Sequence, residues 1–80
     1  MHNSTIPLSH LPIKTPATIV HLRGGHGFQR KMGVMGIREG QTIMIVSRQP
    51  FHGPITITVR GTQMTVGRGI AHHIMVAPQS

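Results

Sequence analysis

Glycine and proline cut this chain into short pieces, and those cuts constrain its fold more than any other feature of the sequence. The pieces between them are rich in β-branched residues, which suits strands, and only one carries helical periodicity. Pro7, Pro12 and Pro16 punctuate residues 1–16, a spacing that argues against helix and predicts an extended arm. Ile6, Leu8, Leu11 and Ile13 on that arm are available to lie on a core. Ala17 to Arg23 predicts the first strand, which stops at Gly24-Gly25. The period then changes: Phe28, Met32 and Met35 stand at i, i+4 and i+7, one face of a two-turn helix weakened by Gly33. Gly36 is placed to end that helix in a left-handed conformation, with Ile37 folding back beyond it. So short a helix does not hold alone and is expected to plug a sheet.

After Arg38-Glu39-Gly40, residues Gln41 to Arg48 predict a second strand, whose apolar run from Ile43 to Val46 implies cover on both faces over part of its length. Residues 49–54 form a long turn governed by Pro50, Gly53 and Pro54. Ile55 to Arg60 alternates, with Ile55, Ile57 and Val59 inward and Thr56 and Thr58 outward. Gly61 then turns the chain into Thr62–Val66 to complete a hairpin. Gly67-Arg68-Gly69 permits a tight turn or a 3-10 piece, and Ile74-Met75-Val76 closes the series as a last short strand. The pattern predicts a mainly β domain over residues 17–77: a small SH3-like β-barrel of about five strands with one short helix after strand one. Closure would remove the edges that a thin open sheet leaves. An OB-fold also has five strands, but its helix comes later, between strands three and four.

The charge balance narrows the function. Eight Lys and Arg face a single acid, Glu39, for a net charge of +7. One carboxylate excludes paired-carboxylate chemistry, carboxylate metal cages and the Ser-His-Asp triad. The absence of cysteine excludes thiolate zinc sites, iron–sulfur ligation and a cysteine nucleophile. An enzyme is therefore not expected. No apolar run approaches the ~18 residues of a membrane span, and residues 1–11 show no secretory signal, so a cytoplasmic location is expected. The cations are scattered, with only Arg30 and Lys31 adjacent, which fits a solvated surface as well as a nucleic-acid partner.

Four features could carry function, each with a plainer reading beside it. His2, His10, His21, His26, His52, His72 and His73 offer imidazoles for weak transition-metal binding. Their spacing matches no chelating motif, and adjacent His72 and His73 would face opposite ways in a strand. Gly24-Gly25-His26-Gly27 precedes a helix, as phosphate-binding loops do, yet no Lys-Ser/Thr follows, so strand-to-helix turning accounts for it. Nucleic-acid binding by a small barrel calls for aromatics among the cations. With Phe28 committed to the helix core, only Phe51 remains. Phe51, between Pro50 and Pro54, reads either as an exposed partner contact with Pro50 and Arg48 or as a lid tucked under the barrel.

From Gly25 to Val76 the chain resembles the FeoA family, the small cytosolic component of bacterial ferrous iron uptake. The resemblance lies in Gly25-His26-Gly27-Phe28, in Met35-Gly36-Ile37-Arg38-Glu39-Gly40, in Pro50-Phe51-His52-Gly53-Pro54-Ile55 and in Val59-Arg60-Gly61, in the family's order and spacing. Glu39 stands where the family commonly has Pro, and Gln49 where it has Ala; neither position touches chemistry. The resemblance implies an SH3-like barrel and a non-enzymatic role beside FeoB, a membrane transporter of Fe(II) with a cytosolic GTPase domain. The same barrel closes DtxR-type metal-dependent repressors, so a regulatory module is the alternative, as is a basic barrel that binds nucleic acid. With only sixteen residues ahead of the first strand, a free-standing protein is expected.

Overall fold

A computed structural model describes residues 4–79. In chain order the elements are β1 (Ile6–Pro7), a 3-10 turn (Leu8–His10), β2 (Ala17–Leu22), α1 (His26–Met35), β3 (Thr42–Arg48), β4 (Ile55–Val59), β5 (Thr62–Val66), α2 (Arg68–His72) and β6 (Ile74–Pro78). The strands form one six-stranded antiparallel sheet in the order β1-β6-β2-β3-β4-β5. The expected inward set is found: Ile55, Ile57 and Val59 are buried while Thr56 and Thr58 are half-buried. In the β4–β5 hairpin Ile55 faces Val66 and Val59 faces Thr62, leaving Arg60 and Gly61 as a two-residue turn, both with positive φ. That is the backbone whose twist matches two antiparallel strands.

The sheet curls in barrel fashion, but its ladder is not closed: β1 and β5 are its two ends. What covers the inner face comes largely from outside the strands. Leu8, Leu11, Met32, Ile37 and Ala71 are all buried, in one cluster with Ile19, Ile43, Ile45, Ile74 and Val76. Helix α1 is tied to the end of β2, beyond the short stretch where β2 pairs with β3. Their ladder is short, Ala17 with Ile43 and Thr18 with Thr42, and beyond it Gln29 Nε2 donates to the Leu22 carbonyl at 2.6 Å. Met32 is fully buried beneath the helix, with Phe28 and Met35 packed partly against the core, as the i, i+4, i+7 spacing requires. Gly36 ends the helix at φ 81° and ψ 16°, and the Ile37 amide donates back to the Met32 carbonyl at 2.9 Å, which buries Ile37.

Residues 1–3 of the expected arm lie outside the described residues; residues 4–16 carry β1 and the 3-10 turn. Ile6 pairs with Val76 and Pro7 with Met75, so this segment contributes the sixth strand. Leu8 and Leu11 enter the core, whereas Ile13 stays exposed. The arm then crosses to β3, where the Lys14 amide donates to the Ile45 carbonyl at 2.8 Å, beside a bulge between Ile45 and Ser47. Arg48 fastens it by donating to the carbonyls of Ser9, at 2.9 Å, and Leu11. A second difference is α2: the Gly67-Arg68-Gly69 segment opens a five-residue helix whose Ala71 is fully buried.

Two substitutions test this frame. Gly36→Val forces a β-branched residue into left-handed backbone and is expected to cost at least about 1 kcal/mol, lowering the melting midpoint by roughly 4–8 °C for a domain of this size. An unchanged midpoint would refute the cap. Arg48→Met keeps the aliphatic stem but removes two charge-assisted bonds; a loss of about 1–2 kcal/mol is expected. It should be accompanied by faster amide exchange at Leu11 and Lys14 than at Ile57, and uniform exchange rates would show that Arg48 does not hold the arm.

Candidate functional site

The turn between β3 and β4 holds the most exposed large hydrophobic side chain among the described residues. Its closing bonds are local: the Gln49 amide donates to the Pro54 carbonyl at 3.1 Å and the Gly53 amide to the Pro50 carbonyl at 3.2 Å. Between Pro50 and Gly53 both central residues, Phe51 and His52, have positive φ, 58° and 62°. Asn and Gly favour that conformation, and a Phe–His pair does not, at about 1 kcal/mol or more per residue. The strained backbone holds the Phe51 ring away from the barrel, and the residue is 95% exposed. Of the two readings left open by the sequence, lid or outward side chain, the structure has the outward one. Pro50 flanks it, also exposed. A large apolar ring presented to solvent on strained, proline-bracketed backbone can act by being covered.

Arg48 is the cation expected to join that surface. It lies at the end of β3, paired with Ile55, but its guanidinium points back to the Ser9 and Leu11 carbonyls. A planar fork of donors suits two carbonyls at the end of a 3-10 turn, and the arm supplies them. The sequence could not reveal this contact, because the partners lie 39 and 37 residues away.

The histidines sort themselves by fold. His72 ends α2 and His73 caps it, so the strand geometry considered for this pair does not apply. The rings of His10 and His72 lie 6.0 Å apart, those of His72 and His73 6.1 Å, and Ser9 Oγ is 3.3 Å from His72 Nδ1. This contact docks the 3-10 turn on α2. His21 Nδ1 is 3.4 Å from Glu39 Oε2, a solvent-exposed pair. His2 lies outside the described residues. Among the described residues no three His or carboxylate groups are placed to hold a metal ion.

The glycine loop before α1 serves a packing purpose. A Cβ on Gly24 would lie 2.6 Å from the Phe28 ring, so the strand-to-helix turn requires a residue without one. Two cations that the sequence left among the scattered charges, Arg38 after the α1 cap and Arg60 at the hairpin tip, line one depression. Their spacing of 22 residues concealed it, and only the Val59-Arg60-Gly61 turn hinted that Arg60 would be prominently displayed. No helix among the described residues is long and apolar enough to cross a membrane.

Comparison with known proteins gives a consistent result. The family model described as the FeoA domain matches residues 6–78. A Methanocaldococcus jannaschii protein named as an Fe(2+) transport protein A is 29% identical over 70 residues, covering 88% of this chain and 83% of its own length. The crystal structure of an iron uptake regulatory protein, FeoA, superposes with a TM-score of 0.87 at 33% identity, over 95% of this chain and all of the other. A FeoA-like protein from Clostridium acetobutylicum gives a TM-score of 0.87 at 26% identity, over 100% and 92% of the two chains. A manganese-dependent transcriptional repressor superposes equally well, at 0.88, but with 18% identity and over 38% of its length, a likeness of fold alone.

The strained turn makes a sharp prediction. Changing Phe51→Asn together with His52→Gly installs the residues this backbone prefers, and a gain of about 1 kcal/mol or more is expected. Thermal unfolding should shift upward by roughly 4–8 °C per kcal/mol. A lower midpoint would mean that the Phe51 ring stabilises the barrel after all.

Proposed function

The chain belongs to the FeoA family, and from that premise we propose that it is a non-enzymatic accessory of ferrous iron uptake, acting in the cytoplasm by protein contact. The partner in this reading is a FeoB-like membrane transporter with a GTPase domain, and the contact is made by the Pro50–Pro54 turn. The observation that carries it is Phe51: 95% exposed and held outward by backbone with positive φ. An aromatic ring fixed in advance loses little conformational freedom when a partner covers it. Pro50 stiffens the approach to the ring. Arg48 assists by fastening the arm behind the turn. The charge of +7 favours encounter with a partner surface richer in acids. Iron, in this reading, is cargo of the partner, and no histidine of this chain is assigned to it.

Phe51→Ala leaves the fold in place, since the side chain packs on nothing, and is expected to weaken binding to the cytosolic part of a FeoB-like transporter by about 1–2 kcal/mol or more. Calorimetric titration measures this directly, and cellular Fe(II) uptake should fall with it. Wild-type affinity in the folded variant would place the contact elsewhere, first at Arg30 and Lys31 on α1. Failure of the wild type to bind any transporter fragment, together with salt-dependent binding to DNA or RNA, would replace this reading with nucleic-acid recognition.

A further inference from the structure

Arg60 stands at the meeting point of three depressions, at the opposite end of β4 from Phe51. One of about 260 Å³ lies between the end of α1 and the β4–β5 hairpin, with Met35 and Met64 among its walls. The next, about 590 Å³, has Arg38 and Arg60 on its walls together with the Glu39–Thr42 segment. The third, about 310 Å³, is predominantly apolar and includes Pro16, Ile43 and Met44. The arrangement is therefore a run of three depressions that share Arg60: one of mixed polarity with two methionines on its walls, one doubly cationic and one apolar.

Among the described residues the two guanidinium groups have no internal counter-charge. Glu39 is the only acidic side chain in the sequence, and its Oε2 is turned to β2, 3.4 Å from both His21 Nδ1 and the Leu22 amide. Among the described residues no carboxylate lies within ion-pair distance of Arg38 or Arg60. Arginine keeps its charge at every physiological pH and offers a fork that matches carboxylates. The backbone beneath Arg60 is set by the tight turn, with φ 54° at Arg60 and 79° at Gly61. Beside this run, β5 pairs among the described residues only with β4, so its outer edge has main-chain donors and acceptors open to an added strand.

We propose that this run is a docking groove for an extended acidic segment of a partner protein, with carboxylates on Arg38 and Arg60 and flanking apolar side chains in the two methionine-bearing depressions. A nucleic acid fits less well, because no aromatic residue lines any of the three depressions and bases would have nothing to stack on. A single small anion would leave the apolar depression and the one beside Met35 and Met64 unfilled. Methionine side chains adapt to varied apolar partners, which suits recognition of a pattern more than of one sequence. The proposal rests on the contact reading only in taking the occupant to be a protein, and its test needs no transporter.

The probe is a blocked peptide, acetyl-Leu-Asp-Glu-Leu-Glu-Leu-amide, titrated into the isotope-labelled full chain while backbone amide shifts are followed. Inorganic phosphate and single-stranded oligothymidylate serve as comparators. Shifts should concentrate in residues 36–42 and 58–66. Arg38→Gln with Arg60→Gln should weaken binding by at least about tenfold, the loss expected for one charge-assisted pair. Arg60→Lys, which keeps the charge and removes the fork, should weaken it by less. Phe51→Ala should bind the peptide as the wild type does, which separates this groove from the turn proposed above. The proposal is overturned by shifts centred on residues 49–54, by wild-type affinity in the folded double variant, or by no peptide binding up to millimolar concentration. Equal or tighter binding of phosphate or oligothymidylate at the same residues overturns it as well.

Discussion

A six-stranded sheet that does not close on itself has an inner face to cover, and in this protein the cover comes from segments that are not its long strands. Leu8 and Leu11 from the arm, Met32 and Ile37 from the first helix and its cap, and Ala71 from the second helix are each buried against the isoleucines of the sheet. With two aromatics in the chain, one of them facing solvent, the core is made of small and medium side chains. Each covering segment is therefore held by more than apolar contact. The arm has Arg48 and the Lys14 amide, α1 has Gln29 on the Leu22 carbonyl, and the 3-10 turn has Ser9 against His72. These polar fasteners link places far apart in sequence, so the domain depends on long-range geometry more than on any single strand.

Local physics made about half of this legible beforehand. The β4–β5 register follows from strict alternation, the α1 cap from a glycine ahead of an isoleucine, and the α1 face from three apolar residues at helical spacing. Elements shaped by distant partners were not legible. The strand Ile6–Pro7 is two residues long and contains a proline, and nothing in it announces pairing with Val76 and Met75. Helix α2 has five residues, one of them Gly69, and exists because Ala71 is buried. The bulges at Ile19/His21 and Ile45/Ser47 shift register without any glycine or proline to mark them. The candidate site divides the same way. Pro50 and Phe51 could be read as a turn, but the outward direction of the ring is set by two backbone angles. The bonds from Arg48 to Ser9 and Leu11 were not legible, because a cation's partner cannot be read from its neighbours.

The surface carries a related lesson about charge. A chain with eight fixed cations and one acid has almost no internal ion pairing, and its single carboxylate is spent on an exposed histidine and a backbone amide. Its cations are then available either to the protein's own carbonyls or to something outside. Arg48 takes the first course, while Arg38 and Arg60 are left for the second. The exposed Phe51 ring and the Arg60 tip sit at opposite ends of one buried strand, so a rigid element fixes the distance between them.

The order of the strands has a consequence for how the chain acquires its shape during synthesis. β3, β4 and β5 are consecutive neighbours and can pair as soon as they emerge. The other half of the sheet has no such freedom. β1 pairs solely with β6, and β2 has most of its ladder on β6, the last strand to be made. Closing that loop between distant parts of the chain is the slow step expected of non-local pairing. Until then Leu8 and Leu11 have no place to go. Pairing within the local β3–β4–β5 meander can therefore precede the closure in which Ile74–Pro78 joins the leading segment and β2 to it.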